Sequence, residues 1–98
     1  LSSLADQLYR ATRSIDANIS EGYSCPTAAE QARFYVYALR SAREARGWYF
    51  KARTLIGEDV MYDGVVRLEE LIRMLTKLVT SRCGYGMKEA SELYEVDE

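Results

Sequence analysis

Residues 14–44 read SIDANISEGYSCPTAAEQARFYVYALRSARE, and the punctuation inside this stretch decides the fold. An apolar-periodic run ends at Gly22, a short turn holds the chain's single proline, and a second periodic run begins after Thr27. Thr27 and Glu30 have the spacing of a capping box. The hydroxyl accepts from an orphan amide of the first turn, and the carboxylate reaches back to the cap amide. Pro26 biases Cys25 away from helical geometry and sharpens the break. Gly22 is expected to be the left-handed stop of the first helix. The stretch reads as a helical hairpin.

Outward from the hairpin, the first helix is expected over about 3–21, with Ser2 or Ser3 as its cap. Leu4, Leu8, Ala11, Ile15 and Ile19 step by four and three, which makes an apolar seam. A second helix is expected over 28–56, ending at Gly57, with Phe34, Ala38, Ser41, Ala45, Trp48, Ala52 and Leu55 along its central stripe. Tyr35, Ala42, Tyr49 and Ile56 widen that stripe, so the helix should meet more than one neighbour. The small residues Ala38, Ser41, Ala42 and Ala45 permit close helix approach at mid-length. A third helix is expected over about 60–82, where Met61, Val65, Leu68, Ile72, Leu75 and Val79 form one seam and Leu71 and Leu78 a second flank. Residues 1–83 then form one domain, and 84–98 an acidic tail that opens with GYG. The fold class is all-α, an antiparallel up-down helical bundle. In that order the first turn and the end of the third helix share one end of the bundle. Cys25 and Cys83 should therefore lie near each other as free thiols.

The chain of 98 residues is 48% hydrophobic and 29% charged, a globular composition. No apolar run approaches the ~20 residues of a membrane span, and no signal-peptide pattern is present. The net charge of −2 is unevenly spread. Residues 1–57 hold eight basic against five acidic residues, whereas 58–98 hold five against ten. Neither half has the strongly basic balance of an autonomous nucleic-acid binder. With no histidine, and with two cysteines far apart in sequence, a zinc site lacks ligands. The expected setting is the reducing cytoplasm, with no cofactor and no small-molecule substrate.

The residues Leu4, Gln7, Leu8, Arg10, Ala11, Ser14, Ile15, Asn18, Ile19, Glu21 and Gly22, followed by Thr27, Glu30, Phe34, Ala38, Ser41 and Glu44, resemble the four-helix-bundle family of 23S ribosomal RNA intervening-sequence proteins. The N-I-x-E-G core followed by a Ser/Thr-x-x-Glu cap is the most specific part of the match. The resemblance implies a bundle of four helices in the intact unit, three of them in this chain. It also implies assembly into a homo-oligomer, commonly a pentamer, and no enzymatic activity. Ribosomal RNA or another ribonucleoprotein is the implied surrounding. The accessory variability proteins of diversity-generating retroelements, similar in fold, act by binding a reverse transcriptase and nucleic acid. The family carries a long helix before the segment matching 4–22. Its place beside Trp48 and Tyr49 is expected to be filled by a preceding segment, a neighbouring subunit or a partner.

Two groups of residues are candidates for function. Arg10, Ser14, Asn18 and Glu21 lie on one helical face beside the first seam. No nucleophile–base pair or metal set accompanies them, so they read as a polar network fixing register where helices or subunits meet. Glu21 should also sit near the positive end of the second helix. Arg33, Arg40, Arg43 and Lys51 lie opposite the apolar stripe of the second helix and are candidate nucleic-acid contacts. Their ordinary reading is a solvated face with local ion pairs such as Arg40 with Glu44. Where the family usually has arginine at the turn this chain has Cys25, and where it has glycine mid-helix this chain has Arg40. Cys25 is expected to be an unreactive thiol, because no base or CxxC partner accompanies it.

Overall fold

The computed structural model describes the backbone of residues 3–96 and the side chains of residues 3–84. Four helices follow one another among these residues: α1 (Leu4–Ser24), α2 (Ala28–Lys51), the single turn α3 (Arg53–Ile56) and α4 (Glu58–Val96). The protein is all-α, and its elements pack in sequential, up-down order. At α1 the cap is Ser3, whose hydroxyl accepts from the Asp6 amide while the Asp6 carboxylate accepts from the Ser3 amide. Thr27 caps α2 by accepting from the Glu30 amide at 3.2 Å. This is the forward half of the capping box read from the sequence. Gln31 secures the turn from the other side, donating its Nε2 to the Cys25 carbonyl at 3.0 Å.

The centre of the molecule is α2. It packs along both α1 and α4, and among the described residues no Cα of α1 comes within 8 Å of one in α4. Small side chains make this arrangement close: Ala38, Ala42 and Ala45 have no exposed surface at all. Ala11 and Ile15 of α1 and Leu68 and Leu75 of α4 cover them. Leu8, Ile19, Trp48, Tyr49, Leu71, Ile72 and Leu78 lie half-buried around that core. The overall dimensions are 62 × 25 × 16 Å, with a radius of gyration of 16.9 Å. A compact chain of this length has roughly 13 Å. The molecule is therefore an elongated slab, one helix pair thick in its narrowest direction.

Four boundaries differ from the sequence reading. The first concerns Gly22, which is helical and buried; among the described residues only Gly57 has positive φ. Gly22 serves instead as a slot for Tyr35, since a methyl group on it would lie 2.7 Å from Tyr35 Cε1. The helix runs on to Ser24 and ends at Cys25, whose amide donates to the Gly22 carbonyl at 3.2 Å. Gly64 is the matching slot on α4, where a methyl would lie 2.5 Å from Tyr49 Cε1. The second helix, expected to be continuous over 28–56, is interrupted at Ala52 (φ −85°, ψ 0°). There Arg53 Nη1 donates to the Phe50 carbonyl at 2.8 Å and takes over part of the backbone pairing. Beyond the interruption Leu55, expected on the central stripe, is 75% exposed. The stop at Gly57 is as expected, with φ +89°.

The remaining two differences lie in α4. It begins at Glu58, two residues earlier than expected, with Glu58 and Asp59 favourably placed in its first turn. It then continues beyond residue 82, through Gly84 and Gly86, to Val96. Residues 84–96, within the stretch read as an acidic tail, thus have a helical backbone; 97 and 98 lie outside the described residues. A helical glycine costs only about 1 kcal/mol relative to alanine, and the following MKEASEL is rich in good helix formers.

The two ends of the α1–α2 hairpin can be tested by chemical denaturation. Thr27→Ala should cost about 1 kcal/mol through the lost cap. Gly22→Ala should cost about 1–3 kcal/mol, because Tyr35 must move. Gly22→Asn, which a left-handed stop would tolerate, should cost more than Gly22→Ala. If Asn proves the milder replacement, Gly22 is a stop and not a slot.

Candidate interface: a polar seam and two open grooves

On the α1–α2 contact, Ser14 and Ser41 hydroxyls lie 2.7 Å apart, with Ser41 almost wholly buried. Asn18 Nδ2 donates to the Ser14 carbonyl at 2.8 Å and to the Ser14 hydroxyl at 3.1 Å. The three side chains form a closed polar cluster that fixes how α1 sits along α2, since a slip by one turn would leave the buried Ser41 hydroxyl without its partner. Arg10 and Glu21, expected on the same stripe, are both exposed and take no part in these bonds. From the sequence Ser41 reads as a small packing residue. Its polarity in an otherwise apolar phase was the available signal.

The candidate cations Arg33, Arg40, Arg43 and Lys51 of α2 are exposed, and two of them rest on aromatic rings. Arg33 lies 5.2 Å from the Phe34 ring centroid, and Lys51 lies 4.5 Å from that of Trp48. The Trp48 indole donates to Glu44 Oε1 at 3.2 Å. Glu44 therefore serves Trp48, and the expected Arg40–Glu44 pair is not formed among the described residues. Arg40 and Arg43 point away from the core, as the sequence phase requires.

Two grooves are open. One, of about 670 Å³, lies between the C-terminal turns of α1, the first half of α2, and α4; Ile19, Tyr23, Ser24, Tyr35, Leu78 and Arg82 line it. Tyr23 at its rim is 82% exposed. Ser24 precedes Cys25 and Arg82 precedes Cys83, so the α1–α2 turn and this level of α4 share one end of the bundle, as the up-down order demands. The second groove, of about 490 Å³, lies between α2 and the beginning of α4 and is lined by Arg43, Arg46, Gly47, Phe50, Met61 and Val65.

Both cysteines are free thiols, Cys25 half-buried and Cys83 exposed. Desolvation pushes the Cys25 thiol up from its ordinary range. The carboxylates of Glu30 and Glu21 push in the same direction, and Arg33 opposes them weakly. A raised thiol is a poor nucleophile near neutrality. Among the described residues no group of three or more His, Cys, Asp or Glu could hold a metal ion. No described helix is long and apolar enough to cross a membrane.

An up-down array of helices whose polar residues lock register, and whose grooves are apolar with charged rims, defines a small helical-bundle protein. The family model for the 23S rRNA-intervening sequence protein matches residues 1–77, and the chain belongs to that family. No curated protein and no solved structure matches it.

The thiol chemistry is checkable. In a Cys83→Ser variant, iodoacetamide should alkylate Cys25 more slowly at pH 8 than it alkylates the same chain unfolded in denaturant. The deficit should shrink as pH rises and the thiolate forms. A folded protein that reacts as fast as the unfolded chain at pH 8 would contradict the assigned environment.

Proposed function

We propose that the protein is a non-enzymatic, self-associating helical scaffold or adaptor, working in the cytoplasm near ribosomal RNA or another ribonucleoprotein. The observation that carries this reading is the pair of open grooves on a slab whose large apolar side chains remain half-exposed. Ile19, Leu71, Ile72, Leu78 and Trp48 keep part of their surface in water. Covering apolar surface contributes about 25 cal/mol per Å², so several such side chains covered together would stabilise an assembly measurably. Tyr9, Tyr62, Phe50 and Met74 add exposed amphipathic or apolar area of the kind enriched at interfaces. Family membership supports the ribosomal RNA surrounding through the family's name, and a pentamer is the assembly that the resemblance favours.

A second reading is a nucleic-acid- and reverse-transcriptase-binding accessory factor of the diversity-generating-retroelement type. The exposed cations Arg33, Arg40, Arg43 and Lys51 along α2 favour it. An overall charge of −2 weighs against it for a single copy, although an assembly would repeat the basic face around an axis.

Light scattering on untreated purified protein, together with its ultraviolet absorbance spectrum, separates the readings. The scaffold reading expects a homogeneous oligomer at micromolar concentration with a protein-only spectrum. Co-purifying nucleic acid that leaves with a steep salt dependence would favour the accessory factor. A monodisperse monomer would contradict the scaffold.

A further inference from the structure

We propose that the acidic C-terminal stretch of α4 docks in the Arg43–Arg46–Phe50 groove of a second copy of the chain. The inference rests on the self-association reading and names its surfaces.

The groove is built for an acidic, partly apolar occupant. Phe50, Met61 and Val65 give it an apolar floor, and Phe50 is 54% exposed. Gly47 keeps it open, for a methyl group there would meet nothing within 4 Å. Arg43 and Arg46 stand at its rim with no ion pair or hydrogen bond to any described residue. The Arg53 guanidinium, 4.1 Å from the Phe50 ring centroid, adds a third positive charge beside it. Unpaired arginines around an apolar floor suit carboxylates carried next to apolar side chains.

The chain carries such a segment. Residues 85–98 hold Glu89, Glu92, Glu95, Asp97 and Glu98 against the single Lys88, with Met87, Ala90 and Leu93 recurring at helical spacing in the sequence. The backbone of this stretch continues α4 as far as Val96. It lies beyond residue 77, where the family match ends, so family membership assigns it no role.

The occupant cannot be the chain's own acidic end. Val65 in the groove and Glu89 lie on the same helix, 24 positions apart, which is roughly 36 Å at 1.5 Å per residue. While α4 is helical its acidic end lies far from its own groove, and the groove within its reach is that of another copy. Each copy then offers one acidic end and one groove. Such a head-to-tail contact closes into a ring when the rotation between copies permits, and otherwise propagates. A single-stranded nucleic acid, with its phosphates on the arginines, is the competing occupant. The apolar floor and the acidic stretch supplied by the chain itself favour the second copy.

Charge exchange tests the pairing in the full chain by sedimentation at low salt, with circular dichroism confirming that each variant is folded. R43E/R46E should weaken self-association at least about tenfold, and so should E89R/E92R/E95R. The five substitutions combined should restore much of it. A synthetic peptide of residues 85–98 should compete with association of the wild-type protein, which tests the contact without any substitution. The proposal is overturned if the wild type associates but neither reversal nor the peptide changes its mass; the scaffold reading then survives with other surfaces. It is also overturned if R43E/R46E leaves the mass unchanged and abolishes retention of a single-stranded RNA oligonucleotide. A wild-type protein that stays monomeric removes both the proposal and the scaffold reading.

Discussion

Close approach to α2 is the constraint on which the rest of the structure depends. Three alanines without exposed surface let α1 and α4 lie against it, and two tyrosines of the same helix fill glycine slots, Tyr35 at Gly22 and Tyr49 at Gly64. Each slot needs a residue without a Cβ on one helix and a flat ring on the other. The ring fits one level only, so the slots fix register near both ends of the contact region. The Ser14–Ser41–Asn18 cluster does so at the middle of α1. Packing and polar chemistry thus specify one alignment from two helices at once.

A core floored by alanine is thin, and its thinness leads to the functional reading. Large side chains from α1 and α4 reach over the alanines, yet Leu75 alone among the large described side chains is essentially inaccessible. The flanking leucines, isoleucines and Trp48 stay half-covered. Because α1 and α4 do not approach each other closely among the described residues, their facing flanks leave a groove that no described residue fills. On the other side of α4 a second groove carries arginines at its rim. A slab with an apolar flank on each side of one helix is suited to being one part of a larger assembly.

Much of this was legible in the sequence because local chemistry encodes it. Thr27, Pro26 and Gly57 mark boundaries with short-range signals, and the structure keeps them. The small-residue stripe Ala38, Ser41, Ala42 and Ala45 announced close packing, and all four are buried. Part of what failed required knowledge of a distant partner, and part turned on local competition that periodicity does not weigh. A glycine near a helix end serves as a left-handed stop or as a slot, and only the Tyr35 ring, thirteen positions later, decides for Gly22. At the Ala52 interruption Arg53 donates to the Phe50 carbonyl, a side-chain bond that periodicity does not register. Glycines at 84 and 86 suggested an end to α4, but the helix formers that follow outweigh them. At the polar seam, Ser14 and Asn18 were visible as a stripe, whereas their partner Ser41 was hidden among alanines of similar size.

The most direct measurement of the central claim is the stability of Ala42→Leu compared with Ala29→Leu. Ala42 has no exposed surface, whereas Ala29 lies on the exposed face of the same helix. Helix propensity is nearly equal for the two residue types, so the pair isolates packing. Close approach to α2 predicts a loss of about 1–3 kcal/mol for Ala42→Leu and almost none for Ala29→Leu in equilibrium denaturation. Equal stability of the two variants would contradict it, because the helices would then have room for a leucine where Ala42 is fully enclosed.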